Sequence, residues 1–147
     1  MRARGGVSWV TLVLVASLVL GVYLAWMWGP VYVVHYEVQQ VVRDYMNQAV
    51  KNQNDDELVE KMCQKVRSLA RVDQESDEGR VERVPAVPLY PQDVVWEREV
   101  GPSRRNLHVS FEYVRLVEYP YLGWVAEKTF AVDLENDLEL PDWGPQR

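Results

Sequence analysis

Two histidines and one cysteine are the residues of this chain best suited to bind a metal. His35 and His108 are separated by 73 positions, and Cys63 lies between them. A protein zinc site needs three or four ligands, and no local spacing of histidine and cysteine supplies them. We therefore predict no metal site and no cofactor, with His35 close to a membrane surface and His108 on the polar face of a strand.

The clustered carboxylates are better explained by helix capping and solvation than by metal binding. Asp55, Asp56 and Glu57 follow Asn54, a favourable N-cap residue, and Glu57 has the spacing of a capping box. The glycine and ligand spacing of a calcium loop are missing. A second acidic group, in the segment 73–83, is predicted to be a solvated loop.

Nucleophilic catalysis also lacks a sequence signature. No serine has the strand–turn–helix glycine setting of a nucleophile elbow, and the 8 glycines are too scattered to form a phosphate loop. Cys63 is the only cysteine, so an intramolecular disulfide is impossible. We interpret Cys63 as a small apolar residue on a helix face, with an intermolecular disulfide as the alternative. The sequence predicts a protein that is not an enzyme.

Aromatic residues are concentrated in one connecting segment. Tyr119, Tyr121, Leu122 and Trp124 surround Pro120 and Gly123. Such a group either folds back onto a sheet or forms an exposed docking patch for a partner protein. These four residues are our candidate partner-docking site.

An uncharged apolar run, 7–28, precedes all of these residues. At about 1.5 Å per residue a helix of this length reaches about 33 Å, which matches the hydrocarbon thickness of a bilayer. Arg2 and Arg4 lie before the run, and Trp9, Trp26 and Trp28 stand where an interfacial aromatic belt is expected. The positive-inside rule predicts a cytoplasmic N-terminus and an extracytoplasmic C-terminal portion.

Two alternatives remain for this run. A cleaved signal peptide would have a shorter apolar region and small residues before the cut. Here a cut after Ala25 would place Tyr23 at a position that requires a small residue. The start, through Gly5 and Gly6, also looks like a type IV prepilin leader. Counted from Val7, however, Thr11 occupies the position at which pilins carry a glutamate.

Charge limits the partners of the remaining chain. The two leading arginines belong to a total of 16 basic residues, so 14 basic residues stand against 22 acidic ones after the apolar run. Such a domain repels a phosphate backbone, which excludes nucleic acid as a partner. We expect the protein to span the membrane once and to bind a protein partner, and its composition also allows homo-oligomers.

The periodicity after the run predicts an α+β domain. Apolar residues recur at helical spacing from about Pro30 to Lys51, in a helix that either starts at the proline or continues the apolar helix, and again from Leu58 to Ala70. Strict alternation then predicts three strands, over 94–100, 107–113 and 124–135, in an antiparallel meander with a turn at 101–106. A fourth, edge strand is predicted within 80–87. The predicted fold is therefore a transmembrane helix followed by two amphipathic helices packed on a small antiparallel sheet of three or four strands. The predicted division is 1–29 for the flank and anchor, 30–136 for the domain and 137–147 for an irregular tail.

The order of these parts resembles a bacterial family of small single-span membrane-anchored proteins of unknown function with a pilin-like N-terminus. The matching residues are Gly6, Thr11, Leu12, Pro30, Val31, Tyr32, Tyr36, the segment 91–94 and the strand 109–113. The resemblance implies the fold, the anchor and a bacterial inner (plasma) membrane, and it brings no activity.

Together these observations predict an accessory or binding subunit of a membrane or envelope complex. Two other functions remain as alternatives. One is a pilin-like structural subunit, and the other is an enzyme whose composite site is completed by a partner.

Overall fold

A computed structural model describes residues 8–75, 80–101, 105–119 and 123–138. Within these ranges the architecture is α+β, with two α-helices and two antiparallel sheets of two and three strands. The chain divides into two units, 1–33 and 34–147. The candidate sites described below lie in the second unit.

The first helix, α1, runs without a break over Trp9–Ala49 and contains Pro30. Of the two predictions for Pro30, continuation is confirmed and a new start at the proline is wrong. Proline removes one backbone hydrogen bond from a helix, and neighbouring groups can compensate for it so that the helix continues. The helix ends at Ala49 rather than Lys51, since the N–H groups of Val50 and Lys51 turn back to carbonyls only three residues earlier.

The predicted apolar face of α1 forms core in the second unit. Val38, Val42, Met46 and Ala49 are fully buried at spacings of four, four and three residues, which places them on one stripe of the helix. Burial of each such side chain contributes about 1.5–3 kcal/mol for Val-sized and Met-sized residues.

The second helix, α2, covers Asp55–Leu69, and Asn54 is its N-cap as predicted. The Asn54 Oδ1 atom accepts the Glu57 backbone N–H at 3.5 Å. The buried stripe consists of Leu58, Val59, Met62, Cys63 and Val66. Cys63 is fully buried, and burial raises the pKa of its thiol to about 11, which is the behaviour of a packed apolar residue.

A hairpin occupies the charge-rich segment, for which the sequence predicts a loop over 73–83. Strand β1, Arg71–Glu75, pairs antiparallel with β2, Val81–Pro85. The loop prediction is therefore wrong at both ends, because pairing with a partner strand outweighs the low strand propensity of charged residues. The predicted edge strand in 80–87 exists, but it belongs to this separate two-stranded sheet and not to the main sheet.

The main sheet is the predicted antiparallel meander. It contains β3, Val95–Val100; β4, Arg105–Tyr119; and β5, Trp124–Asp137, in that spatial order. β4 and β5 are longer than predicted, so Arg105 and Asn106 belong to a strand rather than a turn, and β5 continues to Asp137, beyond the domain boundary at 136. The rest of the predicted tail, 139–147, lies outside the described residues.

Arg98 of β3 joins the main sheet to both helices. Its guanidinium forms an ion pair with Asp55, the first residue of α2, and its Nε donates to both carboxylate oxygens at 3.1 and 3.0 Å. The Nη1 group donates to the carbonyl of Ala49 at 3.1 Å, and Nη2 donates to the carbonyl of Asn52 at 3.2 Å. One side chain thus supplies hydrogen-bond donors to the end of α1, to the connecting turn and to the start of α2.

Substitution Arg98→Met should lower the free energy of unfolding by about 2–4 kcal/mol, because it leaves a partly buried carboxylate and two carbonyls without donors. Urea denaturation of the full chain in detergent micelles, followed by circular dichroism, measures this loss. The matched control is Arg83→Met, since the Arg83–Asp73 pair is 76% and 60% exposed. This exposed pair should contribute about 0–1 kcal/mol. Equal losses in the two variants would contradict the assigned role of Arg98.

Candidate functional site

The predicted topology residues are only partly described. Arg2 and Arg4 lie outside the described residues. Trp9 and Trp26 are exposed, while Trp28 packs its ring near Tyr32 with 6.3 Å between centroids. α1 is the one helix in the described part of the chain that is long and apolar enough to cross a membrane.

Two of the predicted docking residues meet at the closed end of the β4–β5 hairpin. Tyr119 pairs directly with Trp124, and their rings stack with 5.7 Å between centroids and 27° between planes. Gly123 closes the turn at φ +59°, a conformation that other residues rarely adopt, and its N–H donates to the Tyr119 carbonyl at 3.0 Å. Tyr121 and Leu122 lie outside the described residues.

Trp124 does not fold into the core, because it is 64% exposed. Val125, the next residue, points to the opposite face of the strand and is also exposed. We call Tyr119, Trp124 and Val125 the hairpin-end surface. Its two faces both present apolar side chains, which is typical of a protein-binding surface.

The part of α1 that belongs to the second unit runs alongside the β4–β5 hairpin. The Asn136 side chain donates to Asn47 at 3.0 Å, and further along α1 the His35 ring stacks on Phe130 at 4.6 Å. The helix therefore advances about 18 Å while β4 and β5 advance about 20 Å in the same direction. Tyr119 lies six residues, or about 20 Å, further along β4 than Tyr113, which contacts His35.

His35 belongs to a packed cluster on the sheet. Gln39 Nε2 donates to His35 Nε2 at 3.1 Å, so the ring carries its proton on Nδ1, which donates to the Tyr113 hydroxyl at 2.9 Å. Burial lowers the pKa of His35 and raises the pKa of Tyr113 to about 12. Both groups therefore stay neutral near pH 7. No local spacing could have revealed this contact, since the two residues are 78 positions apart.

His108 lies on the outer face of the main sheet, on the polar side as predicted. Its Nε2 is 2.8 Å from Asp133 Oδ1, and Nδ1 is 3.9 Å from Glu97 Oε2. The hydrogen bond that His108 donates to the Asp133 carboxylate raises the pKa of His108. Among the described residues no group of three histidine, cysteine or acidic side chains is arranged to hold a metal ion.

Substitution Asp133→Asn should lower the pKa of His108, since it removes the strongest stabiliser of the imidazolium. A histidine whose pKa is raised on folding stabilises the fold fully below its unfolded pKa, and loses that contribution as pH rises through the folded value. Proton NMR titration of the His108 ring measures the pKa. Asp137→Asn, on the same strand, is the matched control and should leave it unchanged, whereas equal pKa values for His108 in wild type and Asp133→Asn would contradict the assignment.

A groove beside β4 contains a buried arginine that the sequence prediction missed. The cavity is about 360 Å³ and lies between the β1–β2 hairpin and the far half of β4. It is lined by Val72, Asp73, Val84, Pro85, Ala86, Pro88, Val114, Arg115, Leu116 and Glu118. Arg115 is 8% exposed, and burial lowers its pKa.

Arg115 interrupts the apolar face of β4. The residues on this face are otherwise Leu107, Val109, Phe111, Tyr113 and Val117, all of them buried. The Nε and Nη1 atoms of Arg115 are buried without a hydrogen-bond partner in the described part of the chain. The strand predicted from the sequence ends at Tyr113 and therefore does not include Arg115. The signal in the sequence is that Arg115 stands at the next position of the alternation, where an apolar residue is expected.

Comparisons with models of known protein families, with curated proteins and with solved structures found no match for this chain.

Proposed function

We propose that this protein is a single-pass membrane-anchored binding subunit of a membrane complex, with its α+β domain outside the cytoplasm and no catalytic activity of its own. The observation that carries the proposal is the apolar exposure of α1. Its large side chains from Trp9 to Leu24 are exposed almost throughout. Exposed side chains of this kind gain free energy from an apolar environment, about 25 cal/mol for each Å² of apolar surface removed from water.

Charge supports the orientation of this anchor. Basic residues precede the span at Arg2 and Arg4, and the first acidic residue after it is Glu37. Under the positive-inside rule this asymmetry favours a cytoplasmic N-terminus. The family resemblance agrees with this arrangement and adds no activity to the proposal.

Labelling by a membrane-impermeant maleimide tests the orientation. Cys63 is buried and its thiol is protonated near pH 7, so the wild-type protein should remain unlabelled in intact cells until it is denatured. Glu60→Cys places a thiol on the exposed face of α2 and should be labelled through the permeable outer envelope. Ala3→Cys is the matched cytoplasmic control and should be labelled only after lysis. The reverse pattern would contradict the orientation.

The hairpin-end surface is the proposed contact with the partner. It exposes the aromatic ring of Trp124 and the side chain of Val125, and exposed aromatic residues are typical anchors of interfaces. A neighbouring protein in the same membrane is the partner that we propose for this surface.

Substitution Trp124→Ser should abolish co-purification of the partner with the full chain from detergent-solubilised membranes, because it removes the largest exposed apolar side chain of the hairpin end. Interface anchors of this size contribute about 2–4 kcal/mol, or at least a 30-fold loss of affinity. The control variant is Val81→Ser, at an exposed valine of the separate β1–β2 hairpin. Equal retention of a co-purifying protein by the two variants, or its absence from the wild type, would contradict the proposal.

The unbroken α1 also suits a pilin-like subunit, in which a long apolar helix continues into a globular domain. Thr11 weighs against filament assembly, because pilins carry a glutamate at the corresponding position. The binding subunit is therefore the function that we favour.

A further inference from the structure

The far half of β4 has an open edge. β3 pairs only with the segment from Arg105 to Ser110, whereas β5 pairs with β4 as far as Tyr119. On the side away from β5, the described residues supply no strand to the segment 111–118. In an antiparallel strand every second residue directs both its N–H and its C=O to one side. Among the described residues, the backbone donors and acceptors along this edge therefore have no strand partner, and the groove runs beside them.

The opposite wall of the groove can contact an extended chain through side chains without forming strand hydrogen bonds with it. Val72 and Val84 are directly paired across the β1–β2 hairpin and contribute apolar surface. Pro85 and Pro88 follow in the same wall, and proline has no N–H to donate to a strand. A segment that enters the groove would therefore pair with β4 on one side and pack against apolar side chains on the other.

Arg115 supplies an uncompensated positive charge to this groove. Within the described ranges, its buried Nε and Nη1 atoms have no hydrogen-bond acceptor, and its guanidinium has no carboxylate partner. Asp73, which also lines the groove, is already paired with Arg83. The residue directly opposite Arg115 on β5 is Lys128, which has the same sign of charge. A buried guanidinium requires an anionic partner, and the chain that the structure describes does not provide one.

We infer that this groove binds an extended segment of another protein, which adds as a strand to the open edge of β4 and places a carboxylate against Arg115. Backbone hydrogen bonds supply affinity with little dependence on sequence in this mode of recognition, and the charged contact selects an acidic residue. A second copy of this chain fits less well, because its own β1–β2 hairpin flanks its β4 edge. The site is additional to the hairpin-end surface and is independent of the membrane orientation.

Fluorescence anisotropy with labelled decapeptides tests this proposal on the full chain in detergent micelles. The probe alternates threonine and valine and carries one central glutamate, and the matched peptide carries glutamine in its place. We expect the glutamate peptide to bind at least ten times more tightly than the glutamine peptide. A third peptide, with the glutamate retained and alternate backbone nitrogens methylated, should not bind, because it cannot pair with the β4 edge.

Variants of the protein assign the charge effect to Arg115. Arg115→Met should abolish the difference between the two peptides, whereas Lys128→Met, which removes the same charge from the adjacent strand, should preserve it. Arg115→Lys retains the charge and provides a second variant if the methionine variant does not fold. It should retain the preference for glutamate at reduced strength, because lysine lacks the planar set of donors.

Thermal unfolding provides an independent measurement. Arg115→Met should melt at a higher temperature than the wild type, since it removes an unpaired buried charge. The glutamate peptide should raise the melting temperature of the wild type more than the glutamine peptide does, and the two peptides should raise that of Arg115→Met equally. Equal affinities of the wild type for the glutamate and glutamine peptides, no binding of either, or a lower melting temperature for Arg115→Met would overturn the proposal. Equal binding of N-acetylglutamate amide and the peptide would overturn strand addition.

Discussion

The ion pair between Arg98 and Asp55 is the interaction on which the arrangement of the second unit depends. A helix end leaves several carbonyls without partners, and the start of the next helix favours negative charge. Arg98 meets both requirements at once, because its guanidinium reaches Asp55 and the carbonyls of Ala49 and Asn52. The side chains are 16% and 31% exposed, so solvent weakens this pair less than it weakens a surface ion pair. The turn between the helices and the first strand of the main sheet are thereby held in one position.

The parts of the fold that follow from local patterns were predicted from the sequence. The N-cap at Asn54, the apolar stripe of α2 and the order of the antiparallel meander all depend on residues close together in the chain. The loop predicted over 73–83 was wrong because strand pairing in β1 and β2 depends on a partner ten or so residues away, and charged side chains obscure it. Helix continuation through Pro30 depends on the surroundings of the helix, so the residue type alone left it open.

The candidate sites also divide into those that local sequence patterns reveal and those that depend on the tertiary fold. Tyr119 and Trp124 were found as an aromatic cluster, and the structure adds that they face each other across a hairpin. His35 and Tyr113 are joined only by the tertiary fold, and no spacing rule connects positions so far apart. Arg115 is predictable only in part from the sequence. Its side chain breaks the apolar alternation of β4, which is visible in the sequence, but only the positions of its neighbours show that no described residue pairs with its buried Nε and Nη1 atoms.

The packing of His35 on Phe130 has a consequence for the synthesis of the chain. The two residues are 95 positions apart, and ribosomes add about 5–20 residues per second, so the strand that covers this face of α1 appears about 5–19 s after the helix. During that interval the apolar stripe of α1 has no sheet to pack against. The nascent protein therefore presents this stripe to chaperones, and to other incomplete copies of itself, until β5 has been translated.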